Sequence, residues 1–504
     1  MKVLIYATAT QGPQEAAAYE EAIRHHNCGD EVLFVHCGSI MKGCHKENPY
    51  FLPFRCTQCE RCFNSRAHKF LPKSITYRNV GFYYDEGIKS TMDAYVPSYA
   101  NHEELRTLVY KNVEIGYGAL STFITQTRDL APELNPVSRN ILDKLLRQQV
   151  LLTELGLKII EDFKPDLIYT HNGRLAQYRP IINLAQHLNI PYITTEFLFD
   201  AQGTVCKNYY HNSIPHNAQA NVEKYRAFWE QSDPVERENF GRAFFENRKR
   251  GIYAGDKIYI KDQVLGSMPD EWVSSKRHIV IFNSSEDEFA ALNKEVDSTA
   301  LFNNQIEGIR AIIDRYGKRE DWQIVLRVHP HLQNVKYTYH TDLYDLKADN
   351  LLTIPSDSPV SSYALMDAAD LVIVFGSTMG VESAYWHKPV ICLAYSFYRF
   401  LDVVYVPKDV SELWTLIEDE KLQCKNTQNC LLYGNYYMST KHERFEILDI
   451  KRCDYSILGH KIRECNYLKF CGSTKLYHLL NGMMLRVNKA IAFRRGIIDE
   501  RWNR

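Results

Sequence analysis

No stretch of this 504-residue chain approaches the roughly 20 consecutive apolar residues of a membrane-spanning helix. An excess of one charge is equally missing. The 60 Lys and Arg stand against 61 Asp and Glu, which argues against a dedicated nucleic-acid binder. The opening Met1-Lys2-Val3-Leu4-Ile5-Tyr6-Ala7 is too short for the apolar region of a signal peptide and has no cleavage site, so it reads as a β-strand. There is no low-complexity tract and no repeat beyond an alternation of strands and helices. In the first loop, Gln11-Gly12 stands where a dinucleotide site would need Gly-x-Gly-x-x-Gly, so no such cofactor is supported. These absences leave a globular protein, expected in the cytoplasm and long enough for two or three domains with cores of their own. Without a secretion signal, its thirteen cysteines are expected as reduced thiols or metal ligands rather than disulfides.

What is present is organised around Trp322 to Ala394. Ile324-Val325-Leu326 runs into Arg327-Val328-His329-Pro330-His331. Ser361-Ser362-Tyr363-Ala364-Leu365 follows, up to Asp370. A second apolar run, Leu371 to Phe375, breaks at Gly376-Ser377-Thr378-Met379-Gly380 and leads into Val381-Glu382, and a third strand, Pro389 to Leu393, closes the unit. Strands alternating with helical segments predict a parallel sheet covered on both faces, with ligands beyond the carboxyl ends of the strands. Arg327, His329, Ser377 and Thr378 fall at that edge. The glycine-bracketed turn offers N–H groups and hydroxyls to a phosphate, and Glu382, one helical turn on, can reach ribose hydroxyls. These are the parts of a nucleotide-sugar site. His329 and His331 alternate across a strand end and are expected to point to opposite faces, so that they do not share a metal.

The order Arg-x-His-Pro, Ser-Ser-Tyr-Ala-Leu-x-x-Ala-Asp, Gly-Ser-Thr-x-Gly-x-Glu-x-Ala-Tyr-Trp-x-Lys-Pro-Val resembles the capsule polysaccharide biosynthesis family. These bacterial glycosyltransferases have the two-Rossmann GT-B fold and are related to Kdo transferases and bacterial sialyltransferases. The resemblance implies an α/β chain of two Rossmann-like, doubly wound domains facing a cleft. It also implies that His329 contacts the donor phosphate, with hydroxyls of Ser361 and Ser362 or of Ser377 and Thr378 helping to hold it. In the family, segments corresponding to Asn172-Gly173-Arg174 and Thr195-Glu196-Phe197 read Asn-Gly-Arg and His-Glu-Arg-Gly, so Asn172, Arg174 and Glu196 match while Thr195 and Phe197 depart. Tyr84-Asp85-Glu86-Gly87 resembles the acid-Asp-Gly motif of bacterial sialyltransferases, although Glu follows Asp here.

Along the chain, Gln14–His26 is expected as a helix, Glu31–His36 and Asn79–Tyr84 as strands, and Glu103–Phe163 as mainly helical. Cys37, Cys44, Cys56, Cys59 and Cys62, with His36 and His45 nearby, can supply a tetrahedral zinc site or an iron–sulfur cluster. A closed site would staple its loop rather than catalyse. The alternative is a set of reduced cysteines in a surface insertion, and some capsule-family members carry a similar segment. Strands ending at Thr170 and Thr195 deliver His171-Asn172-Gly173-Arg174 and Glu196 to a sheet edge. There Glu196, or else Asp85, is the expected general base on a sugar hydroxyl. The duller roles are an ion pair to Arg174 that orders the loop for Glu196 and a capped turn with solvated acids for Asp85.

The domain boundary is expected in the Gly/Lys/Asp-rich stretch 251–270. This gives an acceptor domain over 1–255 and a nucleotide-sugar domain over 256–440. His278–Phe282 would be the first strand of the second domain, presenting Asn283, Ser284 and Ser285 to the donor. Glu286-Asp287-Glu288 fits a capped helix start better than an Asp-x-Asp metal motif, so no catalytic metal is expected. Residues 441–504 form a basic tail, richest in helical pattern from Leu479 to Ile497. It suits either an anionic inner-membrane surface or a return to the first domain. The expected function is therefore transfer of a sugar from a nucleotide donor to a glycan or lipid-linked glycan of the cell surface, with no cofactor and no nucleic-acid partner. Three alternatives remain. One is a teichoic-acid-type transfer from a CDP-polyol, and another is a sugar-nucleotide 2-epimerase. The third is a metal-stapled scaffold without activity.

Overall fold

The computed structural model describes residues 1–8, 13–38, 40–41, 44, 66–255, 258–260, 262–298, 300–451, 454–458, 460–462, 483 and 487. The chain forms two compact units. Met1–Phe197, Val205–Pro215 and Glu443–Arg504 make the first, and Leu198–Thr204 and His216–His442 the second.

The first unit is built on strands β1 (Lys2–Ala7), β2 (Glu31–His36), β3 (Thr76–Asn79), β4 (Leu167–His171), β5 (Tyr192–Thr195) and β6 (Tyr210–His211), in the order β3-β2-β1-β4-β5-β6. All neighbours are parallel except β6, which runs antiparallel to β5. Val3, Leu4, Phe34 and Val35 are fully buried, as strands covered on both faces require. Helix α1 (Pro13–Asn27) covers one face, and α2 (Pro136–Phe163) is the longest helix among the described residues of the unit. Asn135 caps α2 by accepting from the N–H groups of Val137 and Ser138, with Pro136 at the first position; Lys164, in the left-handed conformation ahead of Pro165, ends it.

In place of a strand over Asn79–Tyr84, β3 stops at Asn79, whose side chain accepts from Phe82 N–H and turns Val80–Tyr83 into a 3-10 helix. The described start of the tail is also strand rather than helix. Leu448–Lys451, Asp454–Ile457 and His460–Ile462 form an antiparallel sheet, while the stretch from Leu479 to Ile497 lies outside the described residues apart from 483 and 487. Just before it, Glu443–Leu448 is tied to α1. Glu20 accepts from the N–H groups of Glu446 and Ile447 at 3.0 and 3.1 Å, and Lys207 pairs with Glu20, Glu21 and Glu443 at 3.3, 3.3 and 2.8 Å.

The second unit repeats the plan with β7 (Arg277–Phe282), β8 (Trp322–Arg327), β9 (Leu351–Ile354), β10 (Leu371–Val374) and β11 (Val390–Cys392). They are all parallel, in the order β9-β8-β7-β10-β11. All four residues of β10 are fully buried, each contributing about 1.5–3 kcal/mol of apolar burial. Both units are Rossmann-like, doubly wound α/β domains, the domain content of the GT-B fold. In each, strand order reverses between the first and fourth strands, where such sheets hold their ligands.

The helices α3 (Ala218–Gln231) and α4 (Pro234–Lys249), expected at the end of the first domain, belong to the second. They pack on α5 (Cys430–Met438), and the crossing of α4 with α5 is made at two glycines. A Cβ on Gly434 would stand 2.4 Å from the carbonyl oxygen of Gly241. Phe244 and Phe245, both fully buried, seal the crossing against Tyr433 and Tyr385. Gly434→Ala is expected to lower stability by about 1–3 kcal/mol, read as an earlier denaturant midpoint at unchanged slope. No shift would mean that α4 and α5 slide apart at no cost. Among the described residues, no helix is long and apolar enough to cross a membrane.

Candidate functional site

The carboxyl ends of β7, β8 and β10 meet at the switch point of the second unit and enclose a small cavity of about 50 Å³. Of the donor residues expected from sequence, Asn283, Arg327, His329, Ser362, Ser377, Thr378 and Glu382 line it. Ser361 lines a larger cleft of about 620 Å³ that shares Ile258, Tyr259, Ile260, Gln263 and Tyr363 with the cavity. Ser284 and Ser285 line neither; Ser285 Oγ donates to Asp287 at 2.5 Å. The acidic run after them is engaged within the protein: Glu286 accepts from Gln305 N–H, Asp287 from Tyr339, and Glu288 lies 3.4 Å from His331.

Arg327 is buried at 2 % exposure and donates to the carbonyl oxygens of Val328, Pro355 and Ser358. Burial pulls its guanidinium down to about 10, so it stays charged at pH 7. No described carboxylate forms an ion pair with it. The cavity therefore has a fixed positive charge in its wall.

His329 is placed by its own N–H donating to Asn283 Oδ1 at 2.8 Å, and the turn Pro330–Leu332 follows it directly. Its Nδ1 accepts from His331 N–H at 3.1 Å, so the neutral ring carries its hydrogen on Nε2. Burial pushes this imidazole down to about 4, which keeps it neutral at pH 7 and leaves Nε2–H as a donor. The expectation that His329 and His331 face opposite ways fails because β8 ends at Arg327. Beyond it the chain turns, and both rings pack on Tyr259, at 5.1 and 5.6 Å.

The turn after β10 depends on Gly376, at φ +84°, where a Cβ would lie 2.5 Å from the carbonyl oxygen of Tyr395. It sets Ser377 and Thr378 at the cavity wall. Glu382 does not present a free carboxylate. It pairs with Arg248 at 3.1 Å and accepts from the hydroxyl of Tyr363, and both it and Arg248 are buried.

Sequence reasoning missed Arg248, Tyr259, Gln263 and Tyr363. The described residues of 251–270, the stretch expected to hold the domain boundary, are laid along the site by two backbone bonds, Val264 N–H to Pro359 C=O and Ser361 N–H to Ser267 C=O, and by Ser362 N–H donating to Gln263 Oε1. The signal was the apolar content of this stretch, Ile258-Tyr259-Ile260, amid polar neighbours.

In the first unit, β4 and β5 end side by side, and Asn172, at φ +55°, turns the chain so that its Nδ2 donates to Glu196 Oε1 at 2.5 Å. His171 Nε2 lies 3.7 Å from the same oxygen. Arg174 is buried and donates through Nε to Ser121 Oγ, and in place of the alternative ion pair to Arg174, Glu196 has Asn172 and His171 beside it. Asp85 is the N-cap of Glu86–Ala94, accepting from Ile88 N–H, and is paired with Lys158. The hydrogen bond from Lys158, and after it that from Ile88 N–H, lowers its pKa from the ordinary carboxylate value. Of the two candidate bases, Glu196 directly follows its strand, β5, whereas Asp85 is set off from β3 by the 3-10 turn Val80–Tyr83.

For the cysteine cluster, Cys37 and Cys44 pack with Ile40, Met41 and Leu152, while Cys56, Cys59 and Cys62 lie outside the described residues. Among the described residues no group of three His, Cys, Asp or Glu side chains is placed to hold a metal ion. His36 stacks on Tyr77 at 4.8 Å and hydrogen-bonds to the carbonyl of Arg78.

No protein-family profile matches the chain, and no curated protein does. Solved structures with a similar fold include the Thermosulfurimonas dismutans KpsC β-Kdo 2,4 transferase, 18 % identical over 53 % of this chain and 78 % of its own, with a TM-score of 0.35. The UDP-GlcNAc 2-epimerase of Neisseria meningitidis, bound to UDP-GlcNAc, is 11 % identical over 86 % of this chain and 98 % of its own, at 0.27. The Streptomyces sp. SF2575 glycosyltransferase SsfS6, complexed with thymidine diphosphate, is 11 % identical over 87 % and 96 %, at 0.22. Similarity at this level assigns no activity.

Proposed function

We propose that this chain is a glycosyltransferase that takes a sugar from a nucleotide-activated donor and passes it to a growing surface glycan of capsular or lipopolysaccharide type. The observation that carries this reading is the buried, carboxylate-free guanidinium of Arg327 in a cavity also lined by His329 Nε2–H, Asn283 and the hydroxyls of Ser377 and Thr378. A phosphate group suits such a wall. Its charge is met by Arg327, and its oxygens by neutral donors already fixed in place, which is how a leaving phosphate is stabilised as charge develops. Glu382 and Arg248 complete the wall as an internally neutral pair, so the site as a whole stays positive. The neighbouring cleft, lined by Tyr253, Tyr259 and Leu265, accommodates the rest of the nucleotide.

In the first unit the Glu196 carboxylate, held by Asn172, drives deprotonation of the acceptor hydroxyl, and Arg174 braces the loop from beneath. The chemistry needs no cofactor: the positive charge that a metal would supply comes from Arg327.

A thermal-shift series with CMP, CDP, UDP, GDP and their common sugars tests this. A ligand at a hundred times its dissociation constant adds about 2.7 kcal/mol. One nucleotide class is expected to stabilise the protein, and His329→Ala to abolish the response. No response to any nucleotide, or one that survives His329→Ala unchanged, would sink the assignment.

A further inference from the structure

The end of β4 in the first unit holds a second titratable group that the reading above does not use. His171 Nδ1 lies 2.7 Å from the carbonyl oxygen of Thr195. A carbonyl only accepts, so Nδ1 carries the hydrogen, and the neutral ring keeps its lone pair on Nε2. That nitrogen faces Glu196 Oε1 at 3.7 Å, too far for a direct bond, and no described residue donates to it. The oxygen opposite is already engaged by Asn172 Nδ2–H at 2.5 Å. The ring is fixed by its anchor on Thr195 and by the rings of Tyr178 and Phe197, with centroids at 5.4 and 6.4 Å. Two acceptors facing each other across such a gap, beside the switch point of a doubly wound sheet, make a seat for a hydroxyl group.

We propose that His171 is a further catalytic residue of the transfer reaction, taking the acceptor proton on Nε2 while Glu196 stabilises the imidazolium that forms. This rests on the glycosyltransferase reading and specifies which atom holds the proton. In the step, the acceptor O–H bond breaks and its proton passes to Nε2. The acceptor oxygen forms the new bond to the anomeric carbon, and the bond from that carbon to the phosphate oxygen breaks, leaving its electron pair on the phosphate. The proton then passes from His171 to solvent. Thr195 C=O holds the tautomer throughout, and Asn172 keeps the carboxylate turned toward the ring.

The test uses the full chain with whichever CMP-, UDP- or GDP-linked sugar supports transfer to a synthetic glycan acceptor. His171→Ala is expected to lower kcat about 10²–10⁴-fold with KM for the donor little changed. Imidazole added to the buffer is expected to restore at least a tenfold part of the loss. His171→Gln, which keeps a donor to Thr195 and so guards the local fold, is expected to be as slow as the alanine variant. A wild-type-like urea midpoint and slope for the transition of the first unit, which contains His171, report that both variants are folded. A variant within threefold of wild type, or a loss that imidazole leaves untouched in a folded protein, overturns the role of His171 alone. Absence of transfer by the wild type from every donor class overturns the glycosyltransferase reading and this inference with it.

Discussion

Arg248→Met is expected to destabilise the second unit by about 3–5 kcal/mol, far more than a typical substitution. Arg248 and Glu382 are 4 % and 1 % exposed and 3.1 Å apart, so neither charge has water to fall back on. Removing the cation leaves a buried carboxylate with only the Tyr363 hydroxyl for company, and desolvation of that charge dominates the loss. Arg248→Met combined with Glu382→Gln should recover more than half of it, because the amide still accepts from Tyr363 and no charge is stranded. Urea denaturation of the wild type, both single variants and the double variant measures the cycle. A cost below about 1 kcal/mol for Arg248→Met would mean that water reaches the pair and that the cavity wall is not dry.

The second large effect is acid sensitivity. Burial pushes His36 in the first unit and His442 in the second down to about 4 from an ordinary 6.5. His36 is 2 % and His442 7 % exposed, so the unfolded chain binds protons that the native chain refuses. Stability therefore rises with pH between these two values. The contribution is fully present above about 6.5, shrinks as pH falls, and is gone below about 4. Each ring is worth about 3 kcal/mol over that interval. His329, depressed in the same direction, adds to the slope in the second unit. Equilibrium unfolding at pH 7, 6, 5 and 4 should show stability falling at every step. His442→Phe, which keeps an aromatic ring against Phe228, should flatten the fall in the second unit. A flat profile over this range in the wild type would show that both rings are protonated in the native state.

The parts of this protein that were legible in its sequence are those governed by near neighbours. Runs rich in β-branched residues, such as His278–Phe282 and Leu371–Val374, are strands because nothing else buries them on both sides. The loops after them then have to fall at one edge, which is why Asn283, His329 and Ser377 could be grouped before any coordinates. What stayed hidden depends on distant pairs. Arg248 lies 134 residues from Glu382 and read as one more charge on a charged helix. The composition of 251–267 is that of a linker, and only backbone bonds to Pro359 and Ser361 turn it into a wall of the site. Asp85 looked like a catalytic acid by motif; Ile88 N–H makes it a helix cap, and Lys158, 73 residues away, makes it half of an ion pair. The unit boundary was misplaced for a similar reason. Helices carry no mark of which sheet they serve, and the choice for α4 is made by the fit of Gly241 against Gly434.

The return of Glu443–Leu448 to helix α1 has a consequence for synthesis. The first unit is assembled from segments that lie on either side of residues 216–442, the bulk of the second. At about 5–20 residues per second, a ribosome needs roughly 10–45 s to make the intervening 227 residues. During that interval Glu20 has Lys207 within reach but lacks the two N–H groups that Glu446 and Ile447 later provide. The nascent first domain must wait, incompletely covered, while the second emerges, so the domain begun first is finished last.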